Sequence, residues 1–158
     1  VNVKDRLRFA LLCLALSQLV VGISAAQTSP HTQSPAQPAF TDKTASGLLL
    51  QLSETLEAHS LKRFMALFDV SQMKNGGVFR QQVTLFFSQT DSIRVYLSLV
   101  ETTVENERAT LNVDAEMDAQ PNNGPAWRRN AQLTLVLASV GGSWKIVDIQ
   151  PRSFFSLP

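Results

Sequence analysis

The sequence predicts an α+β domain in which three N-terminal helices pack on a four-stranded antiparallel meander sheet. Three observations predict it. Apolar residues between Ala45 and Phe87 recur at helical spacing. After Thr90 the period changes from 3.6 to two and stays there. Turn residues then cut the second half into four segments, each with one apolar face.

Thr41-Asp42 supplies side-chain oxygens that can cap a helix start. Ala45, Leu48, Leu49, Leu52 and Leu56 then share one face, with Gln51, Glu54 and Glu57 opposite, so a first helix runs to about Ala58. Ser60 is placed to cap a short second helix, in which Leu61, Phe64, Met65 and Phe68 form an i, i+3, i+4, i+7 set. Asp69 to Gly77 reads as a loop closed by Asn75-Gly76-Gly77. Phe79, Val83, Phe86 and Phe87 mark a third helix ending near Thr90.

In the strand region, Ile93, Val95, Leu97 and Leu99 alternate with Arg94, Tyr96 and Ser98. Glu105-Asn106-Glu107 turns the chain, and Ala109, Leu111, Val113, Ala115 and Met117 form the next apolar face. A second turn spans Gln120 to Pro125. Trp127, Ala131, Leu133, Leu135 and Leu137 follow, then the hairpin signal Gly141-Gly142, then Trp144, Ile146 and Asp148 on one parity before Pro151 ends the strand. Matching apolar faces sets the expected registers, since a one-residue slip inverts a strand. Val140 is set against Ser143, which puts Leu137 opposite Ile146 and Leu135 opposite Asp148. Val104 against Arg108 puts Leu99 opposite Val113. Met117 against Trp127 puts Ala115 opposite Arg129.

Ahead of the domain, Lys4, Arg6 and Arg8 precede a mostly apolar run from Phe9 to Ile23, and Ser24-Ala25-Ala26 follows. This order of basic, apolar and small residues is that of a secretory signal peptide over residues 1–26, with cleavage after Ala26. An uncleaved anchor is the first alternative, on a run short for a bilayer that needs about twenty residues. A lipoprotein with Cys13 as acceptor is the second. Residues 27–41, QTSPHTQSPAQPAFT, are rich in Pro, Ser, Thr and Gln and read as a disordered tether. Residues 42–158 form the domain, and its expected location is periplasmic or secreted.

Cleavage removes Cys13, the one cysteine, and with it any disulfide, thiolate nucleophile or cysteine-ligated metal. Three of fourteen basic residues and one of thirteen acidic ones go with the signal, leaving eleven and twelve and a net charge of −1. With no basic stripe, neither nucleic acid nor an anionic membrane surface is expected as a partner. His31 lies in the tether and His59 at the helix junction, both read as solvated, so no histidine-rich metal cluster is expected. No nucleophile elbow or phosphate loop is present, and no cofactor is expected.

Three stretches carry a resemblance. Leu56-Glu57-Ala58-His59-Ser60-Leu61-Lys62-Arg63-Phe64-Met65-Ala66-Leu67-Phe68, Glu107-Arg108-Ala109-Thr110-Leu111 and Gly142-Ser143-Trp144-Lys145-Ile146-Val147-Asp148-Ile149 resemble, in this order, the helix junction, second sheet strand and closing strand of the nuclear transport factor 2-like superfamily. Ser60 stands where that junction usually has an acidic residue. The likeness spans roughly Thr41 to Ser156. It implies a cone, in which a strongly bent sheet wraps the first helix and leaves a pocket at the wide end. It does not fix a function: members include ketosteroid isomerases, polyketide cyclases, dehydratases, secretion-system scaffolds and non-catalytic binding modules.

Within such a cone the expected inner face offers Glu101, Arg129 and Asp148 as polar groups, with Trp127 beside Arg129. Asp148 is the best candidate for a catalytic base, because an isolated carboxylate among apolar side chains has a raised pKa. At the cone mouth it would instead be solvated or bonded to backbone. Arg129 could hold an anion with its planar fork, or pack its stem with its head in water. Glu101 reads more readily as a rim residue. Tyr96, the only tyrosine, has outer parity, which argues against an isomerase oxyanion hole. The outer sheet face, with Arg94, Tyr96, Asp114, Arg128 and Gln132, is polar and a candidate homodimer surface.

These readings lead to a non-catalytic binding or interaction module with an apolar cone-shaped pocket for a small hydrophobic ligand or a protein partner. A cofactor-free enzyme abstracting a proton from a small hydrophobic substrate is one alternative, with Asp148 as base and Arg129 or a backbone amide stabilising the anion. A membrane-tethered scaffold subunit of an envelope assembly is the other.

Overall fold

A computed structural model describes residues 39–158 of the chain. The expected signal peptide and residues 27–38 of the expected tether lie outside the described residues. Helix α1 spans Asp42–Glu57, α2 Leu61–Met65 and α3 Gly76–Ser88. Strands β1 (Thr90–Glu105), β2 (Arg108–Pro121), β3 (Trp127–Val140) and β4 (Ser143–Gln150) form one antiparallel sheet in the order β1-β2-β3-β4, and a 3₁₀ turn follows at Arg152–Phe155. This is the expected α+β arrangement.

Thr41 caps α1 as expected, its Oγ1 accepting the Thr44 N–H at 3.2 Å. The helix buries Ala45, Leu48, Leu49, Leu52 and Leu56. Its last turn reaches β1, the edge strand, where Glu57 Oε1 accepts the Val95 N–H at 3.0 Å. Phe40, just ahead of the helix, packs its ring edge-on against Trp144 at 4.9 Å. Ser60 precedes α2 but makes no side-chain cap. The second helix is also shorter than its apolar spacing suggests. It stops at Met65, and the chain then runs beside β4, with Ile146 N donating to Leu67 O and Asp69 N to Ile146 O, both at 2.9 Å. Phe68 is thus buried as a bridge partner of Ile146, not as a helix position. The same contact covers the free edge of β4.

Asn75-Gly76-Gly77 does not close a loop. Asn75 is the N-cap of α3, in the left-handed region at φ 57°, and both glycines are helical. A Cβ on Gly76 would lie 2.2 Å from the Val70 carbonyl oxygen, so only glycine admits this approach.

The hairpin between β3 and β4 turns on Gly141 and Gly142, both at positive φ as a two-residue hairpin turn requires. Val140 faces Ser143 and Leu137 faces Ile146, as expected. Leu99 also faces Val113. The β2–β3 register preserves the expected faces but sits two residues away: Met117 pairs with Arg129, Ala115 with Ala131 and Ala119 with Trp127. The parity that apolar matching fixes is kept, while the longer turn leaves the offset free.

Two of the three irregularities in the pairing change where the expected site residues face. The β1–β2 pairing shifts between Leu99 and Glu101, leaving Val100 extra, and the hairpin closes on Glu105 and Arg108 instead of Val104 and Arg108. The β3–β4 pairing shifts between Leu137 and Val136, leaving Val147 extra. Each bulge inverts the strand beyond it. Leu135 therefore faces Ile149, not Asp148.

The sheet's inner face, with Leu111, Val113, Met117, Leu133, Leu135, Leu137, Ile146 and Ile149 all fully buried, packs on the helices. Phe64, Phe79, Phe86, Phe154 and Phe155 fill the space between them, each at most 1% exposed. Burial of this kind contributes roughly 1.5–3 kcal/mol per large apolar side chain.

Candidate functional site

The bulges relocate two of the four expected site residues. Asp148 pairs with Val136 on the outer parity of the sheet and its side chain is 37% exposed. It does not enter the cone. Arg152 Nη2 donates to Asp148 Oδ1 at 2.8 Å, and the same arginine donates from Nη1 to Lys74 O at 2.7 Å. Partial burial pushes the Asp148 carboxyl upward. Hydrogen bonds from Arg152, the Ile149 N–H and Gln150, with the charge of Arg152, outweigh it and hold the group below the usual carboxylate value. The expected raised pKa is thus reversed, and with it the case for a general base.

Glu101 is likewise turned out by the Val100 bulge. It pairs with Asn112, lies exposed, and accepts from Asn112 Nδ2 at 3.1 Å. The inner parity beyond the bulge passes to Thr102, opposite the buried Leu111.

Trp127 and Arg129 keep the inner parity, and the structure brings them together. The Arg129 guanidinium lies 4.7 Å from the Trp127 ring centroid, and that ring meets Phe86 at 6.4 Å. Arg129 Nη1 donates to the carbonyls of Ser153 (2.6 Å), Phe154 (3.1 Å) and Ser156 (2.6 Å). Its head clamps the segment after Pro151. Burial lowers its pKa from the ordinary arginine value. From the other side Gln82 Nε2 donates to Arg152 O at 2.6 Å and Phe155 O at 3.2 Å.

The sequence reading missed Gln82 and Arg152, because Gln82 and one nitrogen of Arg152 meet main-chain carbonyls that no residue pattern announces. One signal was present: Arg152 stands four residues after Asp148, although Pro151 rules out a helix there.

His59 is not solvated as expected. It sits in the left-handed region at φ 50°, with Nδ1 3.2 Å from Glu57 O, its ring 5.7 Å from Phe87 and its Nε2 buried without a partner. Among the described residues no group of three or more His, Cys, Asp or Glu is placed to hold a metal ion, and no helix is long and apolar enough to cross a membrane.

A groove of about 750 Å³ lies toward the outer face of the sheet, lined by Tyr96, Ser98, Asp114, Glu116, Asn130 and Gln132 and by the intervening Val95, Leu97, Ala115 and Ala131, with Ser53 of α1 beside it. Tyr96 stands 62% exposed, on the outer parity expected for it. Across one end of this face Arg128 bridges Glu116 at 3.3 Å and Asp118 at 2.6 Å. The hydrogen bond from Arg128, with the charges of Arg128 and Arg94, lowers the Asp118 pKa against desolvation.

No protein-family model and no curated protein matches the sequence. Solved structures do match the fold. A nuclear transport factor 2-like superfamily protein from Salmonella enterica superposes with a TM-score of 0.61 at 13% identity, covering 68% of this chain and 86% of the other. A conserved protein from Planctomyces limnophilus gives 0.59 at 10%, covering 68% and 91%. A hexachlorocyclohexane dehydrochlorinase gives 0.55 at 9%, covering 68% and 80%. The described domain therefore has the nuclear transport factor 2-like fold, and identities this low speak to the fold alone.

Proposed function

We propose that this domain is an exported, non-catalytic interaction module that meets a protein partner through the outer face of its sheet. The observation that supports it most is the position of the two carboxylates. Neither Asp148 nor Glu101 faces the cone, the buried polar residues among those described are Thr55 and Thr90, and Arg129 is engaged by three carbonyls. The cone interior holds the chain's own aromatic and aliphatic side chains. The outer groove, by contrast, presents an exposed aromatic ring among amides, carboxylates and small stretches of apolar surface. That combination suits a protein surface better than a small apolar ligand.

A photo-reactive amino acid placed at Tyr96 in the protein expressed in its own host tests this reading. A discrete cross-linked species from position 96, absent when the same probe replaces exposed Leu50 on α1, is the expected result. It identifies the partner, a second copy included. Equal labelling from both positions, or none, contradicts it. Mass spectrometry of the protein's N-terminus separates a cleaved module beginning at Gln27 from a tethered scaffold that keeps its first segment in the membrane fraction.

A further inference from the structure

The two edges of the sheet are finished differently. The edge of β4 is covered by the chain after α2, where Ile146 N donates to Leu67 O and Asp69 N to Ile146 O. On the edge of β1, Glu57 Oε1 accepts the Val95 N–H at 3.0 Å. That bond fixes which main-chain groups point away from β2. In an antiparallel ladder they belong to alternate residues, so Leu97 and Leu99 also turn their N–H and C=O groups outward. Beyond the Val100 bulge the outward set passes to Thr102 and Val104, opposite Leu111 and Ala109. Among the described residues no backbone hydrogen bond reaches these four residues from outside the sheet. Such a row of main-chain donors and acceptors is a template for another strand. The sequence does little to blunt it: β1 contains neither proline nor lysine, and Val100 and Val104 stand 54% and 49% exposed.

The charges around this edge select the occupant. Glu101 and Glu105 of β1 are exposed, and so is Glu57 where α1 meets the edge. Asp114 of β2 lies opposite Ser98, is also exposed, and takes no part in the ion pairs, which belong to Arg128 and Arg152. The one cation of β1, Arg94, lies opposite Asp118. Ser98 and Asp114 line the outer groove, which reaches the β1 edge at Val95 and Leu97 with Ser53 of α1 beside it. A strand added to β1 would stand two interstrand spacings, about 10 Å, from β2. A lysine or arginine on it, lying over the short Ser98, points its charge toward Asp114. A second copy of β1 would instead bring its own Asp91, Glu101 and Glu105 against acids of the same sign.

We propose that the β1 edge from Leu97 to Val104 takes up an extended, basic segment of a partner protein as a fifth strand, its main chain completing the ladder and its Lys or Arg side chains meeting Glu101 and Asp114. Affinity then comes from the backbone bonds and selectivity from the charges. The proposal names the class of partner for the outer sheet face and rests on that reading.

The probe is an octapeptide of alternating lysine and threonine, added to the protein purified from its own host. Hydrogen exchange across residues 97–104, read by mass spectrometry, reports on the edge. The peptide is expected to slow exchange there about tenfold at saturation and to leave residues 143–150 unchanged, since the β4 edge is already covered. The same peptide N-methylated at every residue keeps its charge but cannot complete the ladder, and one of alternating glutamate and threonine reverses the charge. Both are expected to bind at least tenfold more weakly. Asp114→Asn is expected to weaken the lysine peptide about threefold, the size of one exposed charge pair. No saturable slowing by the lysine peptide overturns the proposal, and so does equal slowing by all three peptides. Cross-linking from Tyr96 that persists while the edge ignores the lysine peptide removes the fifth strand and keeps the outer face. Loss of both removes the reading on which it rests.

Discussion

Arg152 reaches back across Pro151 to Asp148, its Nη2 donating to Oδ1 at 2.8 Å, so that the carboxylate expected inside the cone instead fastens the start of the C-terminal segment from outside. The arginine side chain is 18% exposed and the aspartate 37%. Asp148→Asn is expected to cost about 0.5–1 kcal/mol by chemical denaturation at neutral pH, the size of a partly solvent-screened ion pair. The pH dependence has a definite sign. The folded carboxyl is held below its ordinary value of 3.8, so its contribution is full above that value and is lost as pH falls through the folded pKa. Wild type and Asp148→Asn should therefore converge in stability in strong acid.

Arg129 carries more. Arg129→Met keeps an apolar stem over Trp127 but leaves three carbonyls without their donor. The expected loss is about 2–3 kcal/mol, together with faster exchange of the Ser153–Leu157 amides. A loss as small as that of Asp148→Asn would mean that water replaces the guanidinium without cost.

The helical content and the strand faces were legible because burial is periodic. Leu48, Leu52 and Leu56, or Leu133, Leu135 and Leu137, cannot be rearranged without exposing apolar surface. The bulges were not read, and they decided the site. A one-residue insertion costs little where a strand can bend, and its only trace is a change of apolar parity. That trace exists: Ile146 and Val147 are adjacent apolar residues, and Ile149 continues the parity of the second. In β1, Leu99 and Val104 likewise lie on opposite parities. Reading the first apolar residue of each strand as the phase of the whole strand put Asp148 and Glu101 on the wrong face. The β2–β3 offset was hidden for a different reason. Shifting by two keeps every face, so hydrophobic matching has nothing to say about it.

The two glycines at the start of α3 give opposite expectations. Gly76→Ala drives a methyl into the Val70 carbonyl at 2.2 Å, so backbone must move, at a cost of about 2–3 kcal/mol. Gly77→Ala meets nothing within 4 Å and sits in a helix, so it is expected to stabilise by up to about 0.5 kcal/mol. Thermal melts of the two variants check both signs. Equal effects would place the start of α3 elsewhere.

Phe155 is fully buried between Phe64 and Phe79. Phe155→Ala is expected to cost about 3–5 kcal/mol, the range for an aromatic truncation that leaves a cavity. A smaller loss with unchanged cooperativity would mean that the surrounding rings collapse onto the space.

The most direct test of the central claim, that the β4 bulge turns Asp148 out of the cone, is its own titration. The side-chain carboxyl carbon of Asp148 can be followed by NMR against pH in the folded protein. The account predicts a midpoint below the ordinary aspartate value, moving up toward it in Arg152→Gln. A midpoint raised well above that value, unmoved by Arg152→Gln, would contradict it and return the carboxylate to an apolar interior.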